Sequence, residues 1–161
     1  MLLKAVHPEV LVLGLGNPVL GDDSVGWHVA ARLQPDLCCE VDCLAVGGLS
    51  LMERLVGYKK VVLIDAIITG QPPGSVTCFT LDDLPDLSAG HLTSIHDTSL
   101  PAALKLGHAL GVSLPEQIII VGVEARCIYD FTENLTPSVA TAVPEAARRV
   151  AEIVQQFCQE E

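Results

Sequence analysis

Basic and aromatic residues are both scarce in this sequence. Lys and Arg together number 9 against 20 Asp and Glu, which gives a formal net charge of −11, and Phe, Tyr and Trp make up 4% of the chain. Nucleic acids and anionic membranes are bound through basic surfaces, so this charge excludes both as expected partners. The excess of acid instead favours solubility.

Long apolar runs are lacking as well. No stretch approaches the roughly 20 apolar residues that a membrane-spanning helix needs. The N-terminal segment MLLKAVHPE is interrupted by Lys4, His7, Pro8 and Glu9 and does not have the pattern of an export signal. We therefore expect a cytoplasmic protein. A chain of 161 residues with 50% hydrophobic content suits a single domain over residues 1–161.

The six cysteines include no Cys-x-x-Cys pair, which is the usual mark of a zinc or redox site. Cys39 and Cys43 fall in the strand-like run Cys38–Val46, and Cys78 falls in another run, Val76–Leu81. We expect reduced thiols that pack in the core as small hydrophobic side chains.

Strand-like runs alternate with helical ones along the chain, and this alternation predicts an α/β fold. The near-continuous apolar run Val61–Ile64 is typical of a central parallel strand that is covered on both faces. We predict a three-layer sandwich with a mostly parallel, twisted sheet of about five strands and helices on both faces. The predicted strands are Val10–Leu13, Val41–Val46, Lys60–Asp65, Ser75–Leu81 and Ile118–Val123.

Helical periodicity and capping residues predict four helices between and after these strands. The first runs over Gly26–Leu33, and a short second one ends before Gly57. The third is capped by Asp97 or Ser99 and ends at Gly111. A long C-terminal helix begins at Thr136, and Pro144 should kink it or split off its first turn.

Two adjacent acids follow the first strand, in the segment GLGNPVLGDDSVG from Gly14 to Gly26. They lie where the first helix begins, so Asp22 is expected to cap that helix and offset its dipole. A second carboxylate beside it, Asp23, repels the first, and a bound cation would relieve the conflict. The glycines predict a tight turn with close approach of the backbone.

Three further polar residues belong to the carboxyl ends of predicted strands. Asp65 ends the third strand, Glu124 ends the last, and His96 precedes the third helix. Ligands of open α/β sheets bind at this edge, and two carboxylates with an imidazole suit a divalent metal with open coordination positions. Alternatively, Asp65 hydrogen-bonds loop amides and His96 is a solvated or capping residue. Glu124 is either a supporting residue or, as we favour, an ordinary strand-end acid.

Two interpretations of the Gly14–Gly26 segment fail. A dinucleotide-binding turn needs a third glycine where Val19 stands, and the two acids would occupy the position of the pyrophosphate. The opening Gly-Leu-Gly-Asn-Pro also resembles peptidyl-tRNA hydrolase. That family continues with Gly and an Arg-His-Asn segment, whereas Val19-Leu20-Gly21-Asp22-Asp23 follow here, and an acidic chain suits tRNA poorly.

The order of five motifs strongly resembles the nickel-iron hydrogenase maturation endopeptidases, from about Val10 to the C-terminus. The motifs are GLGNPVLGDDSVG, VVLIDA, SIHD, IIIVGVEA and LTPSV before a C-terminal helix. The resemblance implies that Asp23, Asp65 and His96 are both the metal ligands and the catalytic residues. The first acid of the family is often Glu, so Asp23 has a shorter reach.

The resemblance also implies a function. Such a peptidase removes a C-terminal extension from the hydrogenase large-subunit precursor after nickel insertion, in the cytoplasm. The nickel is carried by the substrate, the protease holds no tightly bound metal of its own, and another divalent metal such as Zn or Cd can take the same ligands in a crystal. The same residues would also serve a non-catalytic chaperone that binds the nickel-loaded precursor without cutting it.

One segment departs from the family pattern. Members often carry an Asp-Gly-Gly-Thr-like sequence after the second strand, and here Ala45-Val46-Gly47-Gly48-Leu49 stands in its place. We infer that the client belongs to a different hydrogenase subgroup, and that Gly47 and Gly48 form a tight strand-to-helix connection. No Ser-His-Asp or Cys-His pairing is visible, which disfavours a covalent mechanism.

Overall fold

The computed structural model describes residues 9–83, 99–126 and 128–160. His96 and Asp97 lie outside these ranges. The described elements are strands β1 (Val10–Leu15), β2 (Glu40–Leu44), β3 (Lys60–Ile67), β4 (Val76–Thr80) and β5 (Gln117–Glu124), and helices α1 (Val25–Ala31), α2 (Gly48–Leu55), α3 (Leu100–Ala109) and α4 (Pro137–Gln159). Short 3₁₀ turns cover Gly21–Ser24 and Leu81–Asp83.

The five strands form one sheet in the order β2-β1-β3-β5-β4. All neighbours run parallel except β4, which pairs antiparallel with β5 at one edge. Helical crossovers join the parallel strands, as their geometry requires. The predicted α/β sheet, mostly parallel and of about five strands, is confirmed.

Side chains alternate between two hydrophobic cores on opposite faces of the sheet. In β1, Val10 and Val12 pack under α1 and α4, whereas Leu11, Leu13 and Leu15 pack under α2 and α3. Each strand residue that is taken fully out of water contributes about 1.5–3 kcal/mol. A central strand buried on both faces therefore shows no alternation of polar and apolar residues. With helices on both faces of the sheet, the predicted three-layer sandwich is confirmed.

Helix α4 runs unbroken through Pro144, so the alternative of a split-off first turn is wrong. Proline removes one backbone hydrogen bond, yet the buried residues on either side of it hold the helix against the sheet. These buried residues are Val139, Ala142, Val143, Ala146, Ala147, Val150, Ile153, Val154 and Phe157.

Helix α3 begins at Ser99, one of the two predicted caps, whose hydroxyl accepts a hydrogen bond from the Ala102 amide at 3.4 Å. Gly111 follows the helix with a φ of +73°, the left-handed conformation that ends many helices. Among the described residues, no helix has the length and apolar character to span a bilayer.

The described cysteines, Cys38, Cys39, Cys43, Cys78 and Cys158, are free thiols. Cys39 is buried as expected, and burial with the neighbouring Cys158 and Cys38 thiols raises its pKa to about 12. The prediction is wrong for Cys78, which is exposed because β4 lies at the edge of the sheet.

Candidate active site

The strand order reverses between β1 and β3, and this position defines the site. The chain passes from β1 to β2 on one side, and then returns to place β3 on the other side of β1. In open α/β sheets the crevice at such a reversal, beyond the carboxyl ends of the strands, is where ligands bind. Asp23 lies in the turn after β1, and Asp65 lies near the carboxyl end of β3.

Two glycines bring the Asp23 turn down onto the ends of the strands. A Cβ at Gly16, whose φ is +130°, would overlap the backbone carbonyl of Asp23. A Cβ at Gly26 would overlap the Leu15 carbonyl of β1 and would lie 2.5 Å from the Ile64 carbonyl of β3. Only glycine permits this approach, so the predicted role of these glycines in a tight turn is confirmed. Ile64 immediately precedes Asp65, so the same contact joins the Asp23 turn to the strand that carries Asp65.

Asp23 is almost fully buried, with 5% of its surface exposed. Its Oδ2 accepts a hydrogen bond of 2.8 Å from the Asn17 amide at the other end of the turn. This bond fixes the direction of the carboxylate relative to β1.

Asp22 does not cap α1, and that prediction is wrong. The cap residue of α1 is Ser24. The Asp22 side chain instead faces residues from the C-terminal part of the sequence. Its carboxylate accepts hydrogen bonds from the Arg126 amide at 2.9 Å and from the Thr136 amide at 2.7 Å, and the Thr136 hydroxyl donates to it at 2.8 Å. Thr136 is the cap residue of α4, so the dipole of that long helix favours the Asp22 charge.

This arrangement removes the reason for a cation between the two acids. Asp22 faces the start of α4, whereas Asp23 faces the Asn17 amide, so each carboxylate has protein donors of its own. Repulsion between the Asp22 and Asp23 carboxylates is therefore no evidence for a bound metal. Asp23 is a candidate metal ligand because it lies at the carboxyl edge of the sheet.

Asp65 is fully buried in β3, where it is in register with Gly122 of β5. The strand continues for two residues beyond it, to Ile67, so Asp65 does not end the strand as predicted. Its side chain therefore belongs to the sheet rather than to the following loop. His96, the third predicted ligand, lies outside the described residues. Within the described ranges no three His, Cys, Asp or Glu side chains gather as a metal site.

Glu124 ends β5 as predicted and has a structural role. Its Oε1 accepts from the amides of Thr69 at 2.7 Å and Gly70 at 3.1 Å, and its Oε2 accepts from the Thr69 hydroxyl at 2.8 Å. This buried carboxylate holds the loop between β3 and β4. The favoured interpretation of Glu124 as a strand-end acid is confirmed.

Two nucleophiles, Ser24 and Cys39, have the wrong surroundings for covalent catalysis. The Ser24 hydroxyl is buried and donates to the Gly21 carbonyl at 2.7 Å. The Cys39 thiol, with its pKa near 12, stays protonated at neutral pH. Gly47 and Gly48 form the connection into α2, where the Gly47 carbonyl accepts from the Leu51 amide.

Sequence reasoning missed the partners of the buried acids. Arg126 and Thr136 bind Asp22 across 104 and 114 residues, and Thr69 binds Glu124 across 55. No local pattern signals such pairs, although LTPSV was singled out as a helix start. The fold and the positions of its acids define a doubly wound α/β protein with an acidic site at the reversal of its sheet.

Comparison with known proteins gives the family. The family model described as hydrogenase maturation protease matches residues 44–153. The chain is 29% identical over 154 residues to the hydrogenase expression/formation protein HupD of Thiocapsa roseopersicina, covering 93% of this chain and 69% of that protein. It is 27% identical over 152 residues to a putative hydrogenase maturation protease of Methanocaldococcus jannaschii, covering 91% and 94%. The chain belongs to the hydrogenase maturation protease family.

Solved structures agree with this assignment. The hydrogenase maturating endopeptidase HybD from E. coli superposes with a TM-score of 0.70 at 22% identity, covering 92% of this chain and 93% of that one. The [NiFe] hydrogenase maturation protease HybD from Thermococcus kodakarensis has a TM-score of 0.65 at 26% identity, covering 90% and 98%. The predicted family is confirmed, and with it the identity of the chain as a peptidase.

Proposed function

We propose that this peptidase removes the C-terminal extension of a nickel-iron hydrogenase large-subunit precursor, in the cytoplasm, after nickel has been inserted. The observation that carries the proposal is the placement of Asp23 and Asp65, two buried carboxylates, at the reversal of the sheet in a chain of this family. Carboxylate oxygens are suitable ligands for a divalent metal that brings its other ligands with it.

In the proposed mechanism Asp23, Asp65 and His96 bind the nickel that the precursor already holds. Metal binding places the tail of the precursor across the carboxyl edge of the sheet and orients its scissile bond. The metal polarises the carbonyl, and either the metal or one of the carboxylates activates the attacking water. The nickel belongs to the substrate in this scheme, and the free protease needs no resident metal.

A cleavage assay with purified precursor tests the proposal. Wild-type protein should shorten nickel-loaded precursor and leave nickel-free precursor intact. Asp23→Asn, Asp65→Asn and His96→Ala should each lower the cleavage rate by at least about 10–100-fold, the range for losing only the groups that support a metal ligand. Asp36→Asn, which removes an exposed acid from the loop between α1 and β2, is the matched control and should cut normally.

Two results would contradict parts of the proposal. If wild-type protein binds the loaded precursor but leaves its C-terminus intact, the chain is a non-catalytic chaperone. If all three site variants cut at the wild-type rate while circular dichroism shows them folded, the site is wrong. A cadmium or zinc soak of a crystal gives a direct check, since the ion should bind Asp23, Asp65 and His96 together.

A further inference from the structure

Two of the few aromatic side chains of this protein extend into solvent on one short loop. Tyr129 is 77% exposed and Phe131 is 87% exposed, in a chain that has only 3 Phe, 2 Tyr and 1 Trp. They belong to the connection between β5 and α4, and we call residues 129–131 the aromatic tip. Large apolar side chains at such exposure, close together, mark interaction surfaces.

Hydrogen bonds fix the aromatic tip beside the turn that carries Asp23. The Gly21 amide donates to the Thr132 carbonyl at 2.7 Å, and the Thr132 amide donates to the Val19 carbonyl at 3.0 Å. Val19 is itself 41% exposed, so it extends the apolar surface from the tip towards the turn. The surface and the candidate site are therefore parts of one hydrogen-bonded unit.

Asp22 anchors the connection at both ends. It accepts from the Arg126 amide before the tip and from the Thr136 amide after it, and the next residue in the chain is Asp23. A loop held in this way has less conformational entropy to lose on binding than a free loop of the same length. Rigid aromatic side chains on such a loop are suited to act as binding anchors.

We propose that the aromatic tip, with Val19, docks the folded precursor by its apolar surface around the nickel centre. The inference rests on the proposed function: a precursor whose nickel binds Asp23 would lie next to the tip, because hydrogen bonds from Gly21 to Thr132 and from Thr132 to Val19 join the tip to the turn that carries Asp23. Tyr129 and Phe131 supply the apolar contact area, and the exposed Asp130 between them favours a partner surface that is apolar at its centre and not itself acidic. The tip supplies apolar contact area for the precursor, and the acids bind its nickel and orient the scissile bond.

Steady-state cleavage of nickel-loaded precursor by purified variants tests the docking role. Phe131→Ala should raise KM by about tenfold, and Tyr129→Ala/Phe131→Ala by more, as expected for the loss of central aromatic anchors. The loss should fall on KM, with kcat at saturating precursor changed less than about twofold. Phe131→Leu, which keeps apolar area, should recover part of the lost affinity.

Leu110→Ala is the matched control. Leu110 is 71% exposed. It follows α3 and precedes the start of β5, whereas the aromatic tip follows the end of β5. Its removal should leave KM unchanged. Thermal melting of each variant should match the wild type, because the substituted side chains lie mostly in solvent.

The outcomes separate the two proposals. If wild-type protein does not cut the loaded precursor, the proposed function fails. If it does cut and the tip variants keep the wild-type KM, only the docking role fails. A fall in kcat with unchanged KM would also overturn docking, as would a wild-type dimer in size-exclusion chromatography that Phe131→Ala converts to a monomer, because the tip would then bind a second copy.

Discussion

At the scale of single residues, the neighbouring acids 22 and 23 have separate tasks. Asp22 joins three distant parts of the chain, since it lies in the turn after β1 and binds the exit of β5 and the start of α4. The Asp23 carboxylate faces the Asn17 amide at the carboxyl edge of the sheet. Hydrogen bonds to a buried carboxylate are stronger than those between neutral groups, and those of Asp22 join segments more than 100 residues apart, so Asp22 has the larger role in holding the fold together.

Asp22→Asn should therefore cost stability. The amide group keeps the size of the side chain, but it turns an NH₂ towards the backbone donors of Arg126 or Thr136 and removes the charge at the α4 terminus. We expect the free energy of unfolding to fall by about 2–3 kcal/mol, measured by urea denaturation with circular dichroism. Asp130→Asn, an exposed acid on the same connection, should change it by less than about 0.5 kcal/mol. Equal, small effects would show that Asp22 does not hold the connection.

The sequence distinguished these two residues only in part. It placed Asp23 in the candidate site through a resemblance, and it assigned Asp22 to the nearest helix, because local patterns relate a residue only to its neighbours. The true partner of Asp22 begins 114 residues later, and only the packing of α4 against the sheet brings it there. Glu124 was correctly interpreted as a strand-end acid, but its partners, Thr69 and Gly70, lie in the loop between β3 and β4 and were not predicted.

At the scale of elements, the start of α1 determines how the site is formed. Gly26 lies in the first turn of this helix and touches the backbone of both central strands, at Leu15 and Ile64. Helix α1 can therefore pack close against β1 and β3, and this position holds the Asp23 turn at the carboxyl edge of the sheet. The helix is seven residues long, and an isolated helix of that length is unstable in water, so packing on the sheet stabilises it.

Gly26→Ala should break this contact. A methyl group there would overlap backbone atoms of β1 and β3, which cannot move without disturbing the sheet. We expect a loss of at least about 3 kcal/mol in urea denaturation, well beyond the roughly 0.5–1 kcal/mol that Ala gains over Gly in a helix. Gly107→Ala in α3 is the control, because its added methyl would meet mainly the Leu114 side chain, which can rotate away. A Gly26→Ala protein as stable as Gly107→Ala would contradict the packing argument.

The elements themselves followed from the sequence more readily than the site did. Periodicity and caps located the five strands and four helices of the described residues, because apolar patterning is set by which face of an element is buried. The errors fell at features that depend on neighbours, namely the exposed Cys78 on edge strand β4, the split-off first turn at Pro144 and the end of β3, which runs past Asp65.

At the scale of the whole molecule, the acidic excess acts on stability. Five of the nine basic side chains, Arg54, Lys59, Lys60, Arg148 and Arg149, form ion pairs with acids on the surface. The exposed pairs, those of Lys59, Arg148 and Arg149, contribute at most about 1 kcal/mol each. The 20 acids still exceed the 9 basic residues by 11, so the folded chain carries net repulsion between like charges.

Added salt should therefore stabilise the protein. Raising the ionic strength from 0.01 to 0.15 M shortens the Debye length from about 30 Å to about 8 Å, which screens the long-range repulsion more than the short ion pairs. Each kcal/mol of repulsion removed should raise Tm by roughly 2–4 °C for a chain of this size. Differential scanning calorimetry in NaCl measures the shift, and choline chloride at equal ionic strength should give the same result if screening is the cause. A Tm that falls with salt would mean that the surface ion pairs outweigh the excess charge.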